Sequence, residues 1–310
     1  MTGVHLAVYL PLLPSLAAAL SARWLAARLD PRPATWLLTA TALVLATAST
    51  ITLGLLAIAG LVRIPLVTEA GRLSRTVLAS TDPTSRFVSL AAGLLLTAAA
   101  LATVRALWHR GRALLAAARQ ARSLPGTGDL VVIDDPAADA FTLPGLPGRI
   151  VVSTRMLDGL TEAERVALIA HERAHLRHRH HWFTTVGHLA ASLNPLLRPV
   201  SRAVSYTVER WADEHAARAS GDRRLVARTV AKAALLKADN PHKSAPALGI
   251  TGTELAAGGP LPRRVAALMA APPRRRVLLI AAVAATLVLT GLCTLEAVHD
   301  LEDLLEAAGA

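Results

Sequence analysis

A single cysteine, Cys293, excludes any intramolecular disulfide; it falls inside an apolar run, where a buried thiol says little about redox compartment. Aromatic residues are almost as scarce, at 3%. The apolar mass, 53% of 310 residues, is therefore mainly Ala, Leu and Val, a mixture that favours helices and suits a bilayer-facing surface better than an aromatic core. Acidic residues are few as well, 22 against 33 Lys and Arg, for a formal charge of +11. This excess does not read as nucleic-acid binding, because no recognition motif or interleaved aromatics accompany the arginines, and no direct nucleic-acid contact is expected. They cluster beside apolar segments instead, as at Arg105, Arg110 and Arg112 and at Arg274, Arg275 and Arg276. In those places they act as membrane-flanking anchors, which makes the lipid bilayer an expected partner.

Four stretches are apolar and long enough to cross a hydrocarbon layer, which needs about 20 helical residues. They are 4–29, 36–62, 88–107 and 277–295. The first contains Pro11 and Pro14 and lacks a basic region ahead of it, so a retained span is expected rather than a cleaved signal peptide. Arg23, Arg28 and Arg32 follow the first span, and Arg110, Arg112, Arg119 and Arg122 follow the third, which puts both flanks in the cytoplasm. The opposing loop, 63–86, also carries four arginines, offset by Glu69 and Asp82. The expected organisation is mainly α and multi-pass in the cell membrane. Residues 1–107 hold three spans, 108–275 form a cytoplasmic α-rich domain with a small β hairpin or sheet, and 276–310 hold the fourth span and a short acidic tail.

Within 108–275, the runs 130–133 and 149–153 are short and β-branched, separated by a loop with Pro136, Pro144, Gly145, Pro147 and Gly148. Thr161 with Glu164 three residues on is a capping box, predicting a helix through the 170s. That helix carries His171-Glu172-Arg173-Ala174-His175, an H-E-x-x-H pattern. Spacing i to i+4 puts both imidazoles on one face, where they can share a zinc ion, while Glu172 stays near enough to act as general base and then general acid. The competing reading is a surface helix with two histidines. A second helix argues against it: Glu209 and Asp213 lie at i and i+4, so Glu209 can complete a His2Glu ligand set and Asp213 can orient a ligating histidine through its free ring N–H. The rival account of that helix is a solvated charged face pairing with Arg210 and Arg218.

H-E-R-A-H followed downstream by E-R-W-A-D resembles the E-x-x-A-D arrangement of gluzincin membrane peptidases. Two groups share it: the HtpX and prenyl-protease group, and the BlaR/MecR-like membrane zinc metallopeptidases. The order of three spans, zinc domain and one span resembles the second. Phe141-Thr142-Leu143-Pro144-Gly145 and Arg149-Ile150-Val151-Val152-Ser153 also precede the zinc helix as they do in these peptidases, and the resemblance implies that the strand binds extended substrate by edge pairing. It further implies a zinc-dependent endopeptidase acting on protein or peptide substrates in regulatory proteolysis, with a transcriptional repressor or the enzyme itself as substrate. The alternatives are quality control of membrane proteins, as in the HtpX-like group, and a non-catalytic zinc-binding transducer. No penicillin-binding segment follows the fourth span within these residues, so beta-lactam sensing by this chain alone is not expected.

Other features carry weaker signals. His178, His180 and His181 read as a basic, membrane-proximal helix end in preference to a second metal site. Tyr206 and His215 are alternative stabilisers of an oxyanion. The apolar stretch 182–197 is short for a span and is expected to pack on the membrane-facing side of the zinc domain, and 240–262, rich in Gly and Pro, reads as a loop.

Overall fold

The computed structural model describes residues 13–61, 86–239, 260–272 and 276–309. Ten helices and three strands are found among them. Helices α1 (Leu13–Arg28), α2 (Pro31–Leu61) and α3 (Arg86–Ser123) come first, then β1 (Leu130–Ile133), β2 (Ala140–Leu143) and β3 (Arg149–Ser153). Helices α4 (Thr154–Asp158), α5 (Glu162–Arg177), α6 (His180–Leu193), α7 (Arg198–Ser220), α8 (Arg223–Ala238), α9 (Pro260–Met269) and α10 (Val277–Gly309) follow.

Three described helices are long and apolar enough to cross a membrane: Pro31–Ile58, Phe87–Ser123 and Val277–Asp300. Of the first expected span, residues 4–12 lie outside the described residues, and the described part is the 16-residue α1. The loop read at 63–86, apart from Arg86, and most of that at 240–262 also lie outside them. No helix break marks residue 107. Helix α3 runs unbroken for 38 residues, about 57 Å at 1.5 Å per residue, against a hydrocarbon thickness of about 30 Å. Its far end, through Ala117 and Ala121, packs on Leu143 of β2 and Val151 of β3.

The two β-branched runs do not form a hairpin. β1 pairs with β3 in parallel, and β2 pairs with β3 antiparallel, giving the order β1-β3-β2. The long Pro- and Gly-containing connection makes room for β2, whose Ala140–Leu143 register sits opposite Val152–Arg149. β3 is thus the middle strand, buried throughout, with ladder partners on both sides. The expectation that it offers an edge to substrate is corrected: among the described residues the edges belong to β1 and β2.

The expected capping box is present. Thr161 N donates to Glu164 Oε2 at 2.9 Å, and Thr161 Oγ1 accepts from Glu164 N, so two orphan amides at the start of α5 are satisfied. Helix α7 ends at Gly221, whose φ of +70° a side chain would resist. One apolar core joins α1 and α2 (Leu25, Leu29, Leu38, Leu45) to α6 and α7 (Phe183, Val200, Val204, Trp211). Phe183 meets Trp36 of α2 edge to face at 4.8 Å. The stretch 182–197 therefore packs against the apolar helices as α6 and a following turn. A buried polar knot fastens the same junction, with Asn194 Nδ2 donating to Ser15 at 3.1 Å and to Ser49 at 2.9 Å.

Candidate metal centre

Helix α5 presents His171 and His175 one turn apart, and α7 crosses it so that Glu209 faces both. His171 Nε2 lies 3.1 Å from His175 Nε2, and these atoms lie 3.6 Å from Glu209 Oε2 and Oε1 respectively. Ligands about 2.1 Å from one tetrahedral ion stand about 3.4 Å apart, so the three atoms fit a small divalent ion with a fourth position left for water. The three residues form a group that can hold a metal.

The other ring nitrogen of each histidine is also engaged. His171 Nδ1 lies 3.0 Å from Asp213 Oδ1, an approach oblique to the ring N–H, and His175 Nδ1 lies 3.0 Å from His180 Nδ1. With Nε2 facing a metal, each Nδ1 must carry the proton, and Asp213 and His180 accept it. His180 is then the Nε2–H tautomer, and that Nε2 is buried with no partner among the described residues. His180, read from sequence as part of a basic, membrane-proximal helix end, is 1% exposed and lies tilted against the Trp211 ring at 4.7 Å. Arg179, held at φ 51° and ψ 45°, turns the chain there, in a left-handed conformation that costs a non-glycine residue about 1–2 kcal/mol.

The strongest charge at the centre is Arg264, from α9. It grips Asp213 in bidentate fashion, Nε to Oδ2 at 2.8 Å and Nη2 to Oδ1 at 2.7 Å, and its Nη1 reaches Glu209 Oε2 at 2.9 Å. Burial alone would raise both carboxyl pKa values. Arg264 and the histidines outweigh it, holding Asp213 at about 2 and Glu209 well below the ordinary carboxylate range. Burial opposes a charge on His171, but hydrogen bonds to Asp213 and Glu209 prevail and lift it to about 10. Desolvation wins at His175, which is lowered, and at His180, lowered to about 2. These neighbours favour two ionised carboxylates and a neutral His180.

Glu172, half-buried on α5, is held from the sheet: Thr142 Oγ1 on β2 donates to Glu172 Oε2 at 2.9 Å. Edge strand, Glu172 and the metal-binding group therefore adjoin. Tyr206 and His215 are engaged elsewhere, the first with its hydroxyl 3.5 Å from the Arg263 carbonyl and the second ring against His178.

All five sequence-derived residues come together. Arg264, His180 and Thr142 were missed. For Arg264 the available signal was an arginine pair after Pro260-Leu261-Pro262, a proline-led helix start with Val265 and Leu268 on one face. His180 and Thr142 offered none, since their roles arise from a chain reversal and from sheet register.

No curated protein and no solved structure matches the chain. The family model for Peptidase family M48 matches residues 108–193, which include the H-E-x-x-H helix, and this match supports the M48 metallopeptidase family.

Proposed function

We propose that the chain is a membrane-bound zinc endopeptidase, with His171, His175 and Glu209 as metal ligands and Glu172 as the proton carrier. The observation that carries the reading is the spacing of 3.1, 3.6 and 3.6 Å among the three ligand atoms, with Glu172 on the same helix. Two imidazoles and one carboxylate are the donor set of catalytic zinc in metallopeptidases, and the open fourth position suits chemistry where a closed structural site would not. Bound there, zinc supplies a Lewis acid that polarises a carbonyl and lowers the pKa of water.

The chain's own groups account for the remaining steps. Glu172 takes a proton from the attacking water and returns it to the departing amine, with Thr142 fixing the carboxylate's direction. Asp213 holds the tautomer and orientation of His171. The outer edge of β2 adjoins Glu172 at Thr142, beyond the Ala140 groups that bond Lys237 and Asp139, so an extended segment can be held there by main-chain hydrogen bonds. Residues 108–275 form the protease domain in this reading.

The substrate is a protein met at the cytoplasmic membrane face, such as a transcriptional repressor or the enzyme itself. The arginine flanks support the orientation, and resemblance to the BlaR/MecR-like peptidases supports the regulatory role. The test is zinc content and cleavage of an unfolded protein by the detergent-purified chain and by Glu172→Gln. One zinc per chain in both, with cutting by wild type alone, is expected; losing a general base costs about 100-fold or more. Absence of zinc in both overturns the site, and equal cutting overturns the role of Glu172.

A further inference from the structure

A second charged feature lies away from the metal centre, where α1 ends and α10 begins. Arg28, Arg210 and Arg276, with Ala27, Ala267, Ala270 and Ala271, line a cleft of ≈ 260 Å³. Three arginines and no carboxylate are among its described lining residues. Arg210 is 4% exposed, and its Nη1 donates to the carbonyls of Ala26 at 2.7 Å and Leu29 at 3.4 Å, which fixes the group in place. Glu214, one turn further along α7, is tied to Arg223 at 2.7 Å and divides its charge between Arg223 and Arg210. Arg28 rests on the Trp24 ring at 4.8 Å; neither Arg28 nor Arg276 has an ion-pair partner among the described residues.

The position of the cleft narrows its ligand. Arg276 immediately precedes the apolar helix Val277–Asp300, and Arg28 closes α1, so the cleft opens at a membrane boundary. A cleft lined by three arginines favours an anion, and planar guanidinium donors match the oxygens of phosphate. Basic pockets between membrane helices are sites for anionic headgroups. The volume has room for a phosphodiester but falls below the range of about 300–1,000 Å³ typical of drug-sized ligands. We propose that the Arg28–Arg210–Arg276 cleft binds the phosphate of an acidic phospholipid headgroup.

Its walls come from helices that also build the metal centre: Arg210 is next to Glu209 on α7, and Ala267 follows Arg264 on α9. A bound headgroup would clamp α9 to α7, the same contact that brings Arg264 to Glu209 and Asp213. The inference stands independently of the protease reading, because its test reads unfolding and not cleavage.

The experiment is thermal unfolding of the full chain in neutral detergent, titrated with dioctanoyl phosphatidylglycerol, dioctanoyl phosphatidylcholine or inorganic phosphate. Phosphatidylglycerol near saturation is expected to raise Tm by about 5 °C, and phosphatidylcholine to do much less. Arg28→Gln/Arg276→Gln, two exposed changes that leave the fold intact, should lose most of the gain. Arg105→Gln/Arg112→Gln, placed on α3 outside the cleft, should keep it. An equal gain from inorganic phosphate, abolished by the same cleft variant, assigns the site to soluble phosphate; a gain from lipid alone assigns it to a headgroup. Retention of the full gain by the cleft variant, or loss of it in the α3 variant alone, overturns the proposal.

Discussion

Arg264 Nη1 stands 2.9 Å from Glu209 Oε2, while its Nε and Nη2 hold both oxygens of Asp213. One cation on α9 thus serves a proposed metal ligand and the carboxylate that steadies another. Replacing it with Ala leaves two buried anions facing each other, and breaking a buried pair in this way costs about 3–5 kcal/mol. A bound divalent ion compensates part of that loss. Arg264→Ala should therefore unfold earlier than wild type when metal-free and gain more from added zinc. Thermal scans with zinc and with a chelator check this, and an equal zinc gain in the two proteins would sink it.

Asp213→Asn is isosteric but no longer offers a full charge to His171. Loss of a carboxylate behind a ligating histidine weakens metal binding by about 10- to 100-fold. Competition with a calibrated chelator measures the change; unchanged affinity would mean that Asp213 serves only to anchor Arg264.

His180 should matter as a hydrogen-bond acceptor, not as a base. His180→Ala removes the acceptor facing His175 and is expected to lower zinc affinity by about tenfold or more. His180→Asp restores an acceptor and removes the buried, unpartnered Nε2–H, so it should recover most of that affinity. If Asp binds zinc no better than Ala, the ring serves packing alone.

Thr142→Val keeps the volume and β-propensity of the strand but removes the donor to Glu172. Hydrogen bonds to charged groups contribute about 1.5–3 kcal/mol, so kcat/KM on an unfolded substrate should fall by about tenfold or more, with zinc content unchanged. A variant with full activity would show that Glu172 needs no orienting contact from the sheet.

The acid stability of the fold should report on Glu164. Its hydrogen bonds with Lys232 and with Thr161 hold its carboxyl below the ordinary value of 4.5. The folded state thus favours the ionised form; this contribution is complete above 4.5 and is lost as pH falls through the depressed folded value. Lys232 is 42% exposed, so solvent screens part of the effect. Wild type should unfold later than Glu164→Gln at about pH 6, and the gap should narrow as pH falls below 4.5. A gap that does not change with pH would assign the difference to the helix cap alone.

The metal centre was legible because its logic is helical. Spacing i to i+4 fixes His171 with His175 and Glu209 with Asp213 on single faces, whatever the surrounding fold. What sequence could not show depends on chain reversals and distant packing. Arg264 reaches the site from a helix beyond residue 240, and His180 turns inward because Arg179 takes a left-handed conformation. A small sheet was legible, but its strand pairing was not, for a related reason. Two β-branched runs across a Pro- and Gly-containing connection suggest a hairpin, but β2 within that connection is short, mixed in polarity and without strand periodicity, so the parallel pairing it permits left no mark.

Helix α3 has no joint between the apolar stretch that starts at Phe87 and the face where Ala117 and Ala121 meet Leu143 and Val151. A tilt of its apolar end would be passed along the helix toward the strand that holds Thr142 against Glu172, which couples the apolar stretch to the candidate metal centre.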